Sequence, residues 1–407
     1  MTITIGNRGR GARAVRRPRI GVGRDRVQPA RRQPQRSRSR RPIGRRSVTF
    51  VVLLVVVVAL NFIGLVMVLS ASSVTALDET GSSWYHFQRQ GIWFTLALVG
   101  MVVTMRTDYR SLRRLAGPGL VLAIAALVVV LIPNVGTSSN GSQRWLVAGP
   151  ISVQPSEIAK LAVVLFVGDL LARRAARIRE TRLSLRPVLV VLSVVGALIL
   201  MQPNLGTALV IAFTTFVMMF IAGVPLAPLA GWGSLGTGAA AMLAMRADYR
   251  RARVLAFIDP WDDPLNTGYQ TIQSLVGIAN GGVWGVGLGN GRAKWGFLPF
   301  AHTDFIFAVV AEELGLIGAL LVIALFVIVG LVGVRIALDA PDRFGTLVAA
   351  GITTWLVTQA FVNIGAVAGR LPITGVPLPF LSAGGSALVA NMLAVGVLLN
   401  IARQARA

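Results

Sequence analysis

Ten long apolar runs separated by polar segments set the organisation of this chain: residues 48–69, 91–105, 117–132, 156–172, 187–201, 205–222, 226–245, 303–334, 344–367 and 383–401. A helix crosses a hydrocarbon core of about 30 Å with about 20 apolar residues, and these runs cluster around that length. The pattern predicts an all-α polytopic membrane protein of about ten transmembrane helices. Ten crossings put both termini on one side, and arginine says which. Arg106, Arg110, Arg113 and Arg114 share a side with Arg173, Arg174, Arg177, Arg179, Arg182 and Arg186, with Arg335 and Arg343, and with Arg403 and Arg406. By the positive-inside rule that side is cytoplasmic. The outer side then receives 71–90, 133–155, the turn at 202–204, a long loop at 246–302 between spans seven and eight, and 368–382.

Composition agrees with this class: 54% of the residues are hydrophobic and only 14% are charged. The net charge of +24 would suggest nucleic acid if it were spread over the fold. It is concentrated instead, since residues 1–46 hold 16 arginines and a single acid, Asp25. Residues 1–47 are therefore expected to be a disordered cytoplasmic tail, either a solvated tether or a segment drawn to the anionic inner leaflet. No nucleic-acid partner is expected. Arg45 and Arg46 before an apolar run resemble an export signal, but the run at 48–69 is longer than such a signal needs and is read as the first span. The membrane domain then occupies 48–403, and 404–407 is a short C-terminal tail. With no cysteine and only His86 and His302, thiolate chemistry and disulfides are excluded and a histidine-rich metal centre is not expected.

Carboxylates are scarce, so those at or inside a span are candidates for function. Residues 299–315, PFAHTDFIFAVVAEELG, place His302, Thr303 and Asp304 at the mouth of a span and Glu312 and Glu313 within it. The plainer alternative makes Asp304 a helix cap and the glutamates bundle supports. At 154–160, QPSEIAK offers Ser156 as a cap and pairs Glu157 with Lys160 at i, i+3, a cavity charge or an interhelical latch. Arg144 and Trp145 lie in an outer loop, where a tryptophan often anchors at the membrane interface. The turn at Gln202, Pro203 and Asn204 is either a cavity wall or a simple hairpin. The long loop carries Arg246, Arg250, Arg251, Arg253, Arg292 and Lys294, cations suited to a phosphate or to lipid headgroups, together with Gln270. Its GGVWGVGLGNG segment is no dinucleotide fingerprint, because no strand–turn–helix unit frames it, but its glycines would allow a backbone to approach a ligand closely. Ser386 follows a Pro- and Gly-rich outer loop.

The ordered set QRWL, QPSEIAKL, QPNLGT, FIDPWDDPLNTGYQTIQSL, GGVWGVGLGNG, HTDFIFAVVAEELG and LPITGVPLPFLSAGGS resembles the SEDS proteins of bacteria, the FtsW/RodA family, over residues 48–403. That resemblance implies a ten-span peptidoglycan glycosyltransferase, nearer the division-type than the elongation-type branch. It would polymerise lipid II into lipid-linked glycan at the outer face of the cytoplasmic membrane, at the division septum. It implies a class B penicillin-binding protein and other divisome membrane proteins as partners, and dependence on Mg²⁺ or Mn²⁺. The family's essential aspartate falls on Asp304, which is also a possible metal ligand, and its Glu–Lys pair and outer-loop tryptophan fall on Glu157, Lys160 and Trp145. Arg144, Gln202, Arg253, Gln270, Lys294, His302, Thr303 and Ser386 complete the expected substrate-binding set. Two departures stand out: Asn204 replaces a usual aspartate and Phe300 a usual glutamate. A lipid II flippase and a non-catalytic scaffold for the transpeptidase are the competing classes. The one-sided clustering of polar residues counts against the flippase, which needs a polar path through the full depth.

Overall fold

The computed structural model describes residues 48–405 apart from Asn134, Asn140, Gly141, Pro150 and Ala247; the arginine-rich tail and Arg406 lie outside the described residues. Every apolar run is helical. In order these are α1 (Val48–Thr80), α2 (Tyr85–Arg106), α3 (Leu112–Val129), α4 (Pro155–Arg173), α5 (Thr181–Met201), α6 (Leu205–Ala222) and α7 (Leu226–Arg246). Two shorter helices, α8 (Asp248–Ile258) and α9 (Tyr269–Gly281), fill much of the expected long loop before α10 (Ile306–Leu338), α11 (Arg343–Val367) and α12 (Gly385–Gln404). Among the described residues seven helices are long and apolar enough to cross a membrane: α1, α3 with its preceding turn, α5, α6, α10, α11 and α12. The chain is a multi-pass membrane protein.

The helices sort by burial. In its most apolar window α12 is 83% buried and α11 67%, against 22% for α3, so α11 and α12 form the middle of the bundle and α3 its rim. α12 packs on α2, α11 and α4, while α10 packs on α11, α1 and α9. The rim stays apolar: Val51, Val55, Val58 and Phe62 of α1 and Leu316, Leu320, Val327 and Leu331 of α10 are exposed, the face a bilayer would cover.

Two features go beyond the helical expectation. The first is a small antiparallel sheet in the segment after α3, made of β1 (Gly136–Ser139), β2 (Ser142–Ala148) and β3 (Ile151–Val153) in that order. The second is a break in α10 at Gly315, whose φ of 68° and ψ of −166° are closed to other residues. A break deprives the backbone on either side of its helical partners, and buried backbone groups must be paired. The glycine-rich segment supplies them. Val286 N and Gly287 N donate to the carbonyls of Glu312 and Glu313 at 3.0 and 3.1 Å, and Leu316 N donates to Gly282 O at 2.9 Å. Such an approach requires missing side chains, since a Cβ on Gly285 would lie 2.2 Å from Glu313 O. These glycines thus admit another stretch of backbone.

The two glutamates fasten the same junction. Glu312 accepts from the backbone N–H groups of Arg292 and Ala293 at 3.0 and 3.1 Å, and Glu313 accepts from Ser70 Oγ of α1 at 2.7 Å. At the far end of the bundle a separate polar network ties the helices together. Arg110 and Tyr109 meet Asp342 at 2.9 and 2.7 Å, Asp169 bridges Arg113 and Arg173, and Asn400 donates to the carbonyls of Met105 and Thr107.

Candidate functional site

Asp304 stands in the turn that leads into α10, not within the helix. The helix starts at Ile306 with Phe305 as its cap and no side-chain capping bond, so the cap role weighed for Asp304 is not what the structure has. The turn is held through its backbone. His302 O accepts from Ala383 N at 2.9 Å, Thr303 O from Ser382 Oγ at 2.6 Å, and Asp304 O from Asn363 Nδ2 of α11 at 2.8 Å. Three successive carbonyls are fixed to one loop and one central helix. The side chains they carry are thereby oriented without being consumed, the condition for a preorganised site.

The Asp304 carboxylate points at cations. Its Oδ2 and Arg253 Nη1 lie 3.6 and 3.9 Å from the point where Gly375, at φ +69°, would carry a Cβ, so both groups border the same spot on the loop. Arg253 also donates to Ile373 O at 3.3 Å. Burial pushes the Asp304 carboxyl above its usual range, while Arg253 and then Arg144 pull it back; burial wins. Arg144 belongs to β2 and donates to the carbonyls of Gln202 and Pro203 at 2.8 and 2.6 Å, which anchors the sheet to the α5–α6 turn.

His302 and Thr303 face a different space, a cleft of about 370 Å³ lined also by His86, Arg89, Gln90, Trp93, Trp145, Val147 and Ser152. The His302 ring stacks on His86 at 5.2 Å between centroids. Burial first, and then His86, lower the His302 pKa to about 4, although Glu79 opposes them. The sign follows: with the folded value below the unfolded one, the unfolded chain binds more protons between about pH 6.5 and 4, so stability is lost as pH falls through that window. The loss amounts to about 3 kcal/mol at most. Thermal melting in detergent from pH 7 to pH 4 is expected to fall more steeply for the wild type than for His302→Gln. Parallel curves would remove His302 as the cause.

The remaining expected residues divide. Glu157 and Lys160 pair at 2.8 Å, both almost fully buried, and Lys160 donates to Gln359 Oε1 at 2.6 Å. Gln359 donates in turn to Pro377 O at 2.8 Å, so the pair supports the loop that carries Gly375 from below. Gln154 caps α4 in place of Ser156, and its N–H donates to Ser386 Oγ at 3.2 Å, which ties the segment between β3 and α4 to α12. The Gln202 side chain is buried and donates to Leu127 O. Lys294 is turned back onto Gly289 O, and Gln270 sits on the first turn of α9; neither lines the cleft. Asn363, Gln359 and Ser382 were missed by the sequence reading. The two amides were signalled only by being polar, four residues apart, inside an apolar run.

A family model described as cell cycle protein, covering FtsW, RodA and SpoVE, matches residues 51–407. The chain belongs to the FtsW/RodA/SpoVE family. It is 44% identical over 350 residues to a probable peptidoglycan glycosyltransferase FtsW of Geobacter metallireducens, covering 86% of this chain and 93% of that one. It is 41% identical to stage V sporulation protein E of Bacillus subtilis, over 87% of this chain and 97% of that one. In structure it resembles a chain of a peptidoglycan synthase complex that coordinates polymerization and crosslinking, with a TM-score of 0.72, 33% identity, and coverage of 86% and 97%.

The two departures from the FtsW/RodA pattern have structural homes. Asn204 caps α6, accepting from Thr207 N, and Phe300 is exposed at φ 60°. Neither adds a carboxylate, and no group of three or more His, Cys, Asp or Glu side chains gathers among the described residues. Mg²⁺ is commonly held by one or two carboxylates together with water and substrate phosphate oxygens, so Asp304 is the residue that would hold such an ion beside the diphosphate. No step below is routed through one.

Proposed function

We propose that this protein polymerises lipid II into glycan strands at the outer face of the bacterial cytoplasmic membrane during division. The observation that carries the reading is Asp304, a carboxylate fixed through its backbone by Asn363 with Arg253 and Arg144 as its charged neighbours. Glycosyl transfer from a lipid diphosphate needs those two things together. A base takes the proton of the acceptor's sugar hydroxyl as its oxygen attacks the anomeric carbon, and cations receive the charge that develops on the departing diphosphate. Asp304 is the base, and Arg253 and Arg144 are the cations. Attack opposite the leaving group inverts the anomeric centre in a single displacement.

The topology we assign has ten crossings with both termini cytoplasmic, adding α2, α4 and α7 to the seven apolar helices. Two facts support it. The arginine-rich turns that follow α2, α4 and α10 are drawn together by the network around Asp342 and Asp169, while the Asp304 turn, the sheet and the 371–383 loop are joined at the other end. A class B penicillin-binding protein is the partner this reading calls for, with other divisome proteins at the septum, in line with the synthase complex that the chain resembles.

Purified protein with its transpeptidase partner and lipid II is expected to give polymeric glycan resolvable by gel electrophoresis. Lipid II translocation across reconstituted vesicles with no glycan product would replace this reading with a flippase.

A further inference from the structure

Strand β2 separates two chemistries. Side chains alternate across a strand, so Trp145 and Val147 share one face and Arg144 takes the other. Trp145 and Val147 line the 370 Å³ cleft, with Thr137, the residue paired with Trp145 across the sheet. Arg144 reaches the opposite way to the α5–α6 turn and is felt by Asp304. The Asp304 turn divides alike: His302 and Thr303 line the cleft, whereas Asp304 lies beside Gly375 and Arg253. One side of the partition is cationic. The other is aromatic and polar, and it holds no acid among its lining residues.

The aromatic side is built for a flat ligand. The Trp93 ring of α2 lies against the first residue of α12, where a Cβ on Gly385 would fall 2.3 Å from two of its ring atoms. Only a glycine lets the indole sit there. Arg89, one turn before Trp93, is exposed at the rim and donates to Ser152 Oγ at 2.8 Å. Indole faces, a guanidinium and the amide of Gln90 in a concave site suit a pyranose chain, whose rings are apolar on their faces and polar at their edges.

We propose that this cleft binds the saccharide of the lipid-linked substrate, with Trp93 and Trp145 as stacking surfaces and Arg89 as a donor to amide carbonyl and hydroxyl oxygens at the sugar edge, while the diphosphate lies beyond β2 with Arg144 and Arg253. The assignment rests on the glycosyltransferase reading above. It places the bond to be broken at the partition itself, next to Asp304, and makes Arg89, Trp93 and Gly385 determinants of how the glycan is held.

The test uses a soluble tetrasaccharide of the lipid II disaccharide, without lipid or diphosphate, titrated calorimetrically into the detergent-purified full chain. Affinity is expected to fall about tenfold in Trp93→Ala and in Arg89→Ala, a loss within the range of one aromatic or charged contact, and to return largely in Trp93→Phe. Arg89 is exposed, so its variant keeps the test open if Trp93→Ala fails to fold. A wild type that binds the tetrasaccharide through Arg89 and Trp93 while a folded Asp304→Asn still polymerises would remove the base and leave this assignment standing, which separates the two. The proposal is overturned if the wild type does not bind the tetrasaccharide at millimolar concentration, or if Arg89→Ala and Trp93→Ala bind it undiminished.

Discussion

Asp304→Asn is expected to lower glycan polymerisation by about 10²–10⁴-fold, the usual worth of a positioned general base. The amide is nearly the same size as the carboxyl and leaves the carbonyl bond from Asn363 in place. The variant should therefore melt like the wild type, and the loss would be chemical. A second signature accompanies it. Because burial raises the Asp304 pKa above 3.8, wild-type activity is expected to fall as the pH drops through that raised value, when the base takes up a proton. The residual activity of Asp304→Asn should lack that limb, because an amide does not titrate. A folded Asp304→Asn that polymerises at the wild-type rate would remove Asp304 as the base and with it the arrangement described around Arg253 and Arg144.

Much of the frame could be read from the chain because membrane helices follow from the length of apolar runs, and each of the ten runs is helical. Asp304 was legible for a related reason, as a rare carboxylate beside a span. What escaped depends on contacts distant in sequence. The break at Gly315 looks like one more small residue in an apolar run, since its compensation lies about thirty residues upstream in the 282–287 backbone. The sheet is built from strands of 4, 7 and 3 residues, too short for alternation to be recognised, and so Arg144 and Trp145 were treated as neighbours when they face opposite sides. Lys294 was grouped with Arg253 by charge alone, and charge cannot say that its ammonium serves Gly289 O.

The same limit applies to Glu157 and Lys160, whose spacing announced a pair but not its purpose. Removing one partner of a buried ion pair strands the other charge, so Glu157→Ala is expected to destabilise the protein by about 3–5 kcal/mol. Among the described residues Lys160 would keep Gln359 Oε1 and the Trp355 ring, 4.9 Å away, and Gln359 is the residue that holds Pro377. The damage should therefore reach the loop at Gly375 and depress polymerisation as well. Removing both charges together distinguishes support from chemistry. In Glu157→Gln with Lys160→Met no charge is buried, and replacing a buried pair by uncharged side chains of similar volume is often neutral. Thermal melting of that double variant is expected to return close to the wild type, and polymerisation to recover with it, if the charges take no part in the reaction, because Gln359 Oε1 keeps the bond from Trp355 Nε1 at 2.7 Å when Lys160 is gone. A double variant that melts normally yet is as inactive as Asp304→Asn would show that the charges take part in the reaction, and a Glu157→Ala protein of undiminished stability would show that the pair carries no such load.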